Sequence, residues 1–365
     1  PMSELTPINF TRGVPAVESF PVRDITKAAV AAMLDYSDAL MQYGPALGFL
    51  PFREWLANWY GVKPNEVLTT NGSLQLIEFL SYHMIQPGDV VYTESPTYDR
   101  TLTLLRRHQA TIVGIPLEAD GPNVAALEAE LKKRVPKFFY ISPDFQNPSG
   151  STHSLEKRKH VVELAEQYNF WLVEDAPYRW LRYRGKEEPT LFELARHRVL
   201  HMSSFTKIIA PGVRMGYMLG SADVLAKIAK IAEDTYISPV YVAHGIAYEW
   251  CRRGHLPDQI EMLKKLYAPR LDACLAAIDK YMPDAQATRP DGGFFVSVIL
   301  PEGVMTTAVR AAAAKRNLNL TDGLAFFPNG GGERFLRLPF CALTPAQIDE
   351  GIRRLADSVN EVRAK

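Results

Sequence analysis

The sequence predicts an α/β fold: a mostly parallel sheet sandwiched by helices, followed by a smaller α+β unit. Three observations carry that expectation. Short β-branched and apolar runs alternate with amphipathic helical patterns from residue 67 to residue 203. The strand runs are apolar almost throughout, as expected of strands buried on both faces. After about residue 240 the rhythm changes to long helical stretches with isolated strands between them.

The elements follow in chain order. Residues 67–70 read as a strand and 73–85 as a helix with Leu74, Ile77 and Leu80 on one face. The turn Pro87-Gly88 introduces a strand at 89–93, then 98–108 is helical and 111–115 is a strand. Val124, Leu127 and Leu131 stand at helical spacing, and 137–142 is a strand. Ser154 can cap a helix in which Val161, Leu164, Ala165 and Tyr168 share a face. Strands follow at 171–174 and 199–203. Residues 242–285 are nearly all helix-like. After them come a strand at 292–300, a helix at 306–316, a segment at 323–327, a strand at 334–339 and a helix at 344–364. Asn329-Gly-Gly-Gly332 reads as a hairpin-like turn. It is not a phosphate loop, because no Lys-Ser/Thr follows it.

Composition narrows the function classes. The 365 residues carry 41 Lys+Arg against 41 Asp+Glu, a formal charge of zero. A nucleic-acid partner is not expected, since polyanion binders need a basic surplus. No run approaches the ~20 apolar residues of a membrane span. The opening PMSELTPINF lacks the basic and apolar regions of a secretory signal, and Pro1 ahead of Met2 reads as an expression remnant. Cys251, Cys274 and Cys341 make neither a C-x-x-C motif nor an even disulfide set. A reducing, cytoplasmic location and no metal site are therefore expected.

In open α/β sheets ligands bind beyond the carboxyl ends of the strands, and five such ends carry chemistry. After 67–70 comes Asn71-Gly72-Ser73-Leu74, opening a helix whose free N–H groups and dipole suit a phosphate. After 89–93 comes Tyr98, able to stack on a planar ligand. After 137–142 a loop rigid with proline presents Asn147 as a hydrogen-bond donor. After 171–174 comes Asp175, a carboxylate that needs a partner if buried, and then Tyr178. After 199–203 come Ser204, Lys207 and Arg214. Walled by Phe205, Ile208 and Ile209, Lys207 is a candidate desolvated amine for Schiff-base chemistry. Singly, each has a plainer reading: a capped glycine turn, a packing aromatic, a polar turn, a structurally paired aspartate, a surface lysine. In this one order they are the parts needed to hold pyridoxal 5′-phosphate (PLP). The phosphate needs N–H groups, hydroxyls and an arginine; the ring needs an aromatic face and a carboxylate at its nitrogen; the phenolic oxygen needs donors; the aldehyde needs a lysine.

These motifs resemble the fold-type I, PLP-dependent aminotransferases of the class I/II family. The likeness is strongest to the branch with 2-aminoadipate and kynurenine aminotransferases and the aminotransferase-like half of MocR regulators. Its most specific pieces are Phe145-Gln-Asn-Pro-Ser-Gly150, Val173-Glu-Asp-Ala-Pro-Tyr178, Ser204-Phe-Thr-Lys207 with Pro211-Gly-Val-Arg214, and Phe335-Leu-Arg-Leu338. The resemblance implies a seven-stranded sheet in a large PLP-binding domain over 44–275. An N-terminal arm and a small α+β domain would take 1–43 and 276–365. It implies that Lys207 condenses with the cofactor aldehyde and that Asp175 pairs with the ring nitrogen. Gly72, Ser73, the Leu74 N–H, Ser204 and Arg214 would hold the phosphate, and Tyr98 would stack on the ring. Asn147 and Tyr178 would bond the phenolic oxygen. Tyr43, in Tyr43-Gly-Pro-Ala-Leu-Gly48, would reach the phosphate of a neighbouring subunit, which implies a homodimer with shared active sites. Arg337 would pair with the substrate α-carboxylate beside Asn147 and Gly13, a task suited to its planar fork.

The chain also departs from the family pattern. Leu74 stands where Gln is frequent, Thr206 where Ser is usual, and Phe294 where Met is common. Arg12, ahead of Gly13, occupies a place where small residues lie near the substrate. It is expected to line the pocket and pair with an acidic side chain, or else to face solvent. The implied activity is ping-pong transamination from an L-amino acid to a 2-oxo acid. The same lysine and aspartate would also serve a lyase, racemase or cyclase. A non-catalytic regulatory module of the MocR type fits poorly, because the pattern starts by residue 10 and no basic surplus serves DNA.

Overall fold

The computed structural model describes residues 6–364, so the reading of Pro1 and Met2 lies outside the described residues. The principal sheet is built from β2 (Val67–Thr70), β3 (Val90–Ser95), β4 (Thr111–Glu118), β5 (Gly121–Pro122), β6 (Phe138–Ile141), β7 (Trp171–Asp175), β8 (Val199–Ser204) and β9 (Gly216–Leu219). Among the described residues β1 (Ile8–Phe10) alone precedes them in the chain. Their spatial order is β2-β9-β8-β7-β6-β3-β4-β5. Pairing is parallel from β8 through β7, β6 and β3 to β4, and antiparallel on both sides of β9 and between β4 and β5. The expected seven strands are thus present, and the two-residue β5 adds an eighth at the edge.

Both faces of the sheet are dry. Phe138 and Tyr140 of β6 belong to one apolar cluster with Ile77, Leu80 and Met202, while Phe139 and Ile141 belong to another with Leu172, Val199 and Tyr217. Successive strand residues point to opposite faces, so unbroken apolar runs are what a double-covered sheet requires. Helices Leu74–Met84, Asp99–Arg107, Val124–Leu131 and Leu155–Tyr168 return the chain between parallel strands. Ser154 caps the last of these by accepting from the Lys157 N–H.

β9 is the strand that sequence patterning does not announce. Its four residues, Gly-Tyr-Met-Leu, contain no β-branched side chain. It follows β8 after two short 3₁₀ turns, Phe205–Lys207 and Pro211–Val213, with no crossover helix, so it must run antiparallel. Its start therefore lies at the sheet edge where the parallel strands end.

The helix-like stretch 242–285 is two helices, Tyr241–Arg252 and His255–Tyr281. They break at Gly254, whose φ of +80° ends the first one. Beyond them β10 (Gln286–Ala287), β11 (Phe295–Ile299) and β13 (Phe335–Pro339) form a three-stranded antiparallel sheet. β1 pairs in parallel with β12 (Leu318–Leu320). The segment 323–327 is a 3₁₀ turn, Leu324–Phe326. The Asn329–Gly332 loop is not the turn of a hairpin, since β12 and β13 share no sheet. It docks instead on the edge of β4, where Asn329 accepts from the Gly114 N–H at 2.7 Å and donates to the Ile112 carbonyl at 2.9 Å. Among the described residues no helix is long and apolar enough to cross a membrane, no cluster could hold a metal ion, and all three cysteines are free and buried.

Candidate active site

The carboxyl ends of β2, β3, β6, β7 and β8 converge on one cavity of about 510 Å³. Ser73, Leu74, Tyr98, Asn147, Asp175, Tyr178, Ser204, Lys207 and Arg214 all line it, as do Arg12, Gly13 and Arg337 from outside the principal sheet. Gly72 stands directly behind Arg214. Tyr43 is elsewhere: it is 74% exposed and sits beside Val240 and Tyr241.

Lys207 is held by the 3₁₀ turn Phe205–Lys207, which Ser204 caps by accepting from the Thr206 N–H. Its Nζ donates to the Gly13 carbonyl at 2.7 Å and lies 5.4 Å from the centre of the Phe294 ring and 5.9 Å from that of Tyr178. Burial pulls its pKa down to about 8. A lysine in this position keeps a sizeable neutral fraction near neutral pH, as a nucleophile or base requires.

Asp175 ends β7 and is buried. Its Oδ2 accepts from the Tyr140 phenol at 2.5 Å, and its main-chain carbonyl accepts from Ser142 Oγ at 2.8 Å. Its Oδ1 is buried with no protein donor. Burial raises the carboxyl to about 6, against the Tyr140 hydrogen bond, which lowers it. An acceptor of this kind calls for a ligand that brings its own N–H.

At the β2 end the chain turns through Gly72 at φ +92° into helix Leu74–Met84. The Ser73 hydroxyl makes no capping bond of its own. A Cβ on Gly72 would stand 2.3 Å from Arg214 Nη2, and one on Gly216 would stand 2.3 Å from the Ser73 N. Both glycines are needed to bring the guanidinium over the helix N-terminus. Arg214, itself at φ +51°, donates to the Asn71 carbonyl at 3.2 Å. The result is a concave set of N–H groups, a hydroxyl and an arginine, which is what an anionic phosphate needs. Ser204 is less free than expected: its hydroxyl donates toward Thr206 Oγ1 and the Met215 carbonyl, at 2.7 and 3.0 Å. Thr206 lines the cavity beside it.

Arg337 lies on β13 and is buried. Its Nη1 donates to Asn147 Oδ1 and its Nη2 to the Thr11 carbonyl, both at 2.8 Å. The guanidinium is sandwiched 4.9 Å from the Phe295 ring and 4.7 Å from Phe326. Its Nε is buried without a partner. Burial lowers its pKa, yet a guanidinium stays charged throughout the working range. Arg12 is exposed at the cavity rim.

Sequence reasoning missed Tyr140, Thr101 and Arg100, which also line the cavity. Tyr140 was legible only as an apolar strand residue; the available signal was a tyrosine on the strand beside the one ending in Asp175.

The donors and acceptors fit PLP. A lysine of lowered pKa, a lone carboxylate oxygen and a glycine-backed anion cradle share one cavity at strand ends. This fold and site define a PLP-dependent enzyme acting on amino groups. The chain belongs to the family "Aminotransferase class I and II", whose sequence profile matches residues 6–355. The aromatic-amino-acid aminotransferase 1 of Thermococcus litoralis is 34% identical over 372 residues, 98% of this chain and 89% of that protein. The α-aminoadipate aminotransferase of Thermus thermophilus, solved with N-(5′-phosphopyridoxyl)-L-leucine, superposes with a TM-score of 0.94 at 32% identity, over 98% of this chain and 93% of that one. The kynurenine aminotransferase of Pyrococcus horikoshii, solved with PMP, gives 0.94 at 34% identity over 99% and 92%. The chain is a PLP-dependent aminotransferase with amino acids and 2-oxo acids as substrates.

Proposed function

We propose that Lys207 and Asp175 are the catalytic pair of a ping-pong transamination, with Arg337 as the anchor for the α-carboxylate of an L-amino acid. The observation that carries this reading is the pairing, in one cavity, of an amine lowered to about 8 and a buried carboxylate with one oxygen free. When bound, PLP supplies an electron sink for the bond electrons at the substrate α-carbon. Asp175 keeps the ring nitrogen protonated through Oδ1. Ser73, the Leu74 N–H and Arg214 take the phosphate, with Gly72 giving them room and Ser204 and Thr206 closing the cradle. Tyr98 would cover one face of the ring, and Asn147 and Tyr178 would donate to the phenolic oxygen. Lys207 Nζ would take the substrate α-proton and hold it for return, as the proton carrier of the site. The carbonyl of Gly13 steadies that amine between transfers. Arg337 offers its unpartnered Nε and the edge of its fork to the carboxylate, with Asn147 beside it.

At the rim, Arg12 pairs with an acidic substrate side chain, as in 2-aminoadipate or glutamate. With Arg214 on the phosphate, Arg337 on the α-carboxylate and Arg100 beside Asp99, Arg12 is the cation at the outer end of the cavity that has no ion pair among the described residues. Its support is its exposure there and the α-aminoadipate aminotransferase among the similar structures. The working unit is a homodimer in which Tyr43 reaches the phosphate of the neighbouring subunit. Its support is a tyrosine 74% exposed beside exposed Met41 and Val240. Residues 44–275 form the large domain, and 1–43 with 276–365 the arm and small domain. The location is cytoplasmic, in keeping with three unpaired cysteines.

The test is a half-reaction panel. Single amino acids are added to the PLP-loaded protein and the conversion of the visible band to the pyridoxamine form is followed. Rapid conversion by acidic donors, with formation of the matching 2-oxo acid, is expected. Conversion by none of the acidic donors would refute the substrate assignment, and pyruvate with ammonia from a serine or cysteine donor would point to elimination.

A further inference from the structure

We propose that Tyr140 is a positioning residue: its phenol fixes the Asp175 carboxylate so that a single ionised oxygen is left to face the ring nitrogen of the cofactor. The inference rests on the reading of Asp175 given above and concerns how that carboxylate is held.

Asp175 is clamped twice from β6 and the residue after it. Ser142 Oγ binds the main-chain carbonyl at 2.8 Å, and Tyr140 binds Oδ2 at 2.5 Å. The two clamps have different consequences. The serine fixes where the residue is; the phenol fixes which carboxylate oxygen is used and how its side chain is turned. With Oδ2 occupied, Oδ1 is the remaining acceptor, and it has no protein partner. Tyr140 is itself almost fully buried, and burial pushes its phenol well above its usual range. It is therefore a proton-bearing donor at every working pH, and a donor to a carboxylate favours the ionised form. The buried Thr101 hydroxyl is set beside the phenol and makes no other hydrogen bond.

The other charged and titratable groups around Asp175 do not take over this task. Glu94, from β3, pushes the carboxyl up, and His201, from β8, pulls it down from a distance. Tyr98 and Tyr178 feel its charge but give it no hydrogen bond. Packing alone gives no reason for the hydroxyl: Tyr140 is flanked on β6 by Phe139 and Ile141, and a phenylalanine would fill the same space. Without the phenol, burial would act on Asp175 unopposed by any side-chain donor. Loss of a charge-assisted hydrogen bond of this kind pushes the carboxyl further up. The carboxyl would then keep the proton that the ring nitrogen needs.

The experiment uses holoenzyme loaded with PLP labelled with ¹⁵N in the ring, read by NMR at neutral pH. In the wild-type protein the resonance is expected at the pyridinium position. Tyr140→Phe is expected to move it toward the neutral-pyridine position and to lower kcat by about tenfold or more, with KM for the amino donor changed by less than about threefold. Thr101→Val should move it the same way by less. Ser142→Ala, which touches only the main chain of Asp175, should leave it in place. A wild-type resonance in Tyr140→Phe, or an equal movement in Ser142→Ala, would overturn the proposal. If Tyr140→Phe does not fold, an unmoved resonance in Thr101→Val overturns it. Asp175→Asn separates the two levels: if that variant leaves the resonance unmoved, the assignment of Asp175 itself fails.

Discussion

The inner and outer ends of the cavity are built in opposite ways. At the inner end Lys207, Asp175, Arg337 and Asn147 are each held by a named hydrogen bond, and glycines at 72 and 216 let the main chain close around Arg214. At the outer end Arg12 is exposed, and Arg100 has only a loose pairing with Asp99 at 3.9 Å. Ordered, buried groups cannot be rearranged cheaply, because each lost bond leaves an unsatisfied partner. Exposed arginines can change at little cost to the fold. On the proposed reading, the chemistry is fixed by the interior and the choice of side chain is left to the rim.

This contrast can be broken at either end, and the largest effects belong to the interior. Lys207→Ala should lower transamination by about 10⁴ and remove the lysine-linked visible band of the bound cofactor, without unfolding the protein. A retained band would place the cofactor on another lysine. Arg337→Lys keeps the charge but loses the fork, and should cost about 10²-fold in kcat/KM for every amino donor alike. A loss restricted to acidic donors would move Arg337 to the side-chain end. Gly72→Ala combines a strained φ with the clash against Arg214, and should raise the Kd for PLP by about tenfold, measured by equilibrium dialysis.

Smaller effects come next. Without cofactor, Asp175 binds its proton more tightly in the folded protein than in the unfolded chain, since burial raises it to about 6. The stability it adds is full below the ordinary carboxylate range and is lost as pH rises through about 6. Denaturation of the cofactor-free wild type against Asp175→Asn should show that difference falling by about 1–2 kcal/mol between mildly acid and neutral pH. A flat difference would mean that Asp175 is not desolvated. Last, Arg12→Ala should reduce the preference for acidic over apolar donors by about tenfold, with the effect fading at high salt and thermal stability unchanged. An unchanged preference would make Arg12 a solvent-facing residue.

The sequence was most readable where burial was complete. The six parallel strands β2, β3, β4, β6, β7 and β8 lie between two helix layers, and their apolar runs admit few other placements. β9 was hidden because four residues without β-branching carry no pattern. β1 and β12 were hidden because each has three residues and alternates with an exposed asparagine. The residues that line the cavity were readable because strand ends are where a sheet of this kind opens such a cleft. Tyr140 was not, because a tyrosine inside an apolar run reads as core, and its hydroxyl gains meaning only when the neighbouring strand is known to end in Asp175. The Asn329 contact with β4 joins positions more than 200 residues apart, and no local signal could reveal it.

Lys207 is proposed to hold the cofactor around which the strand-end residues meet. Borohydride reduction of the PLP-loaded protein, followed by peptide mass mapping, tests it most directly. A phosphopyridoxyl mass on the peptide containing Lys207, and its disappearance in Lys207→Ala, is the predicted result. The same mass on any other lysine would contradict the account.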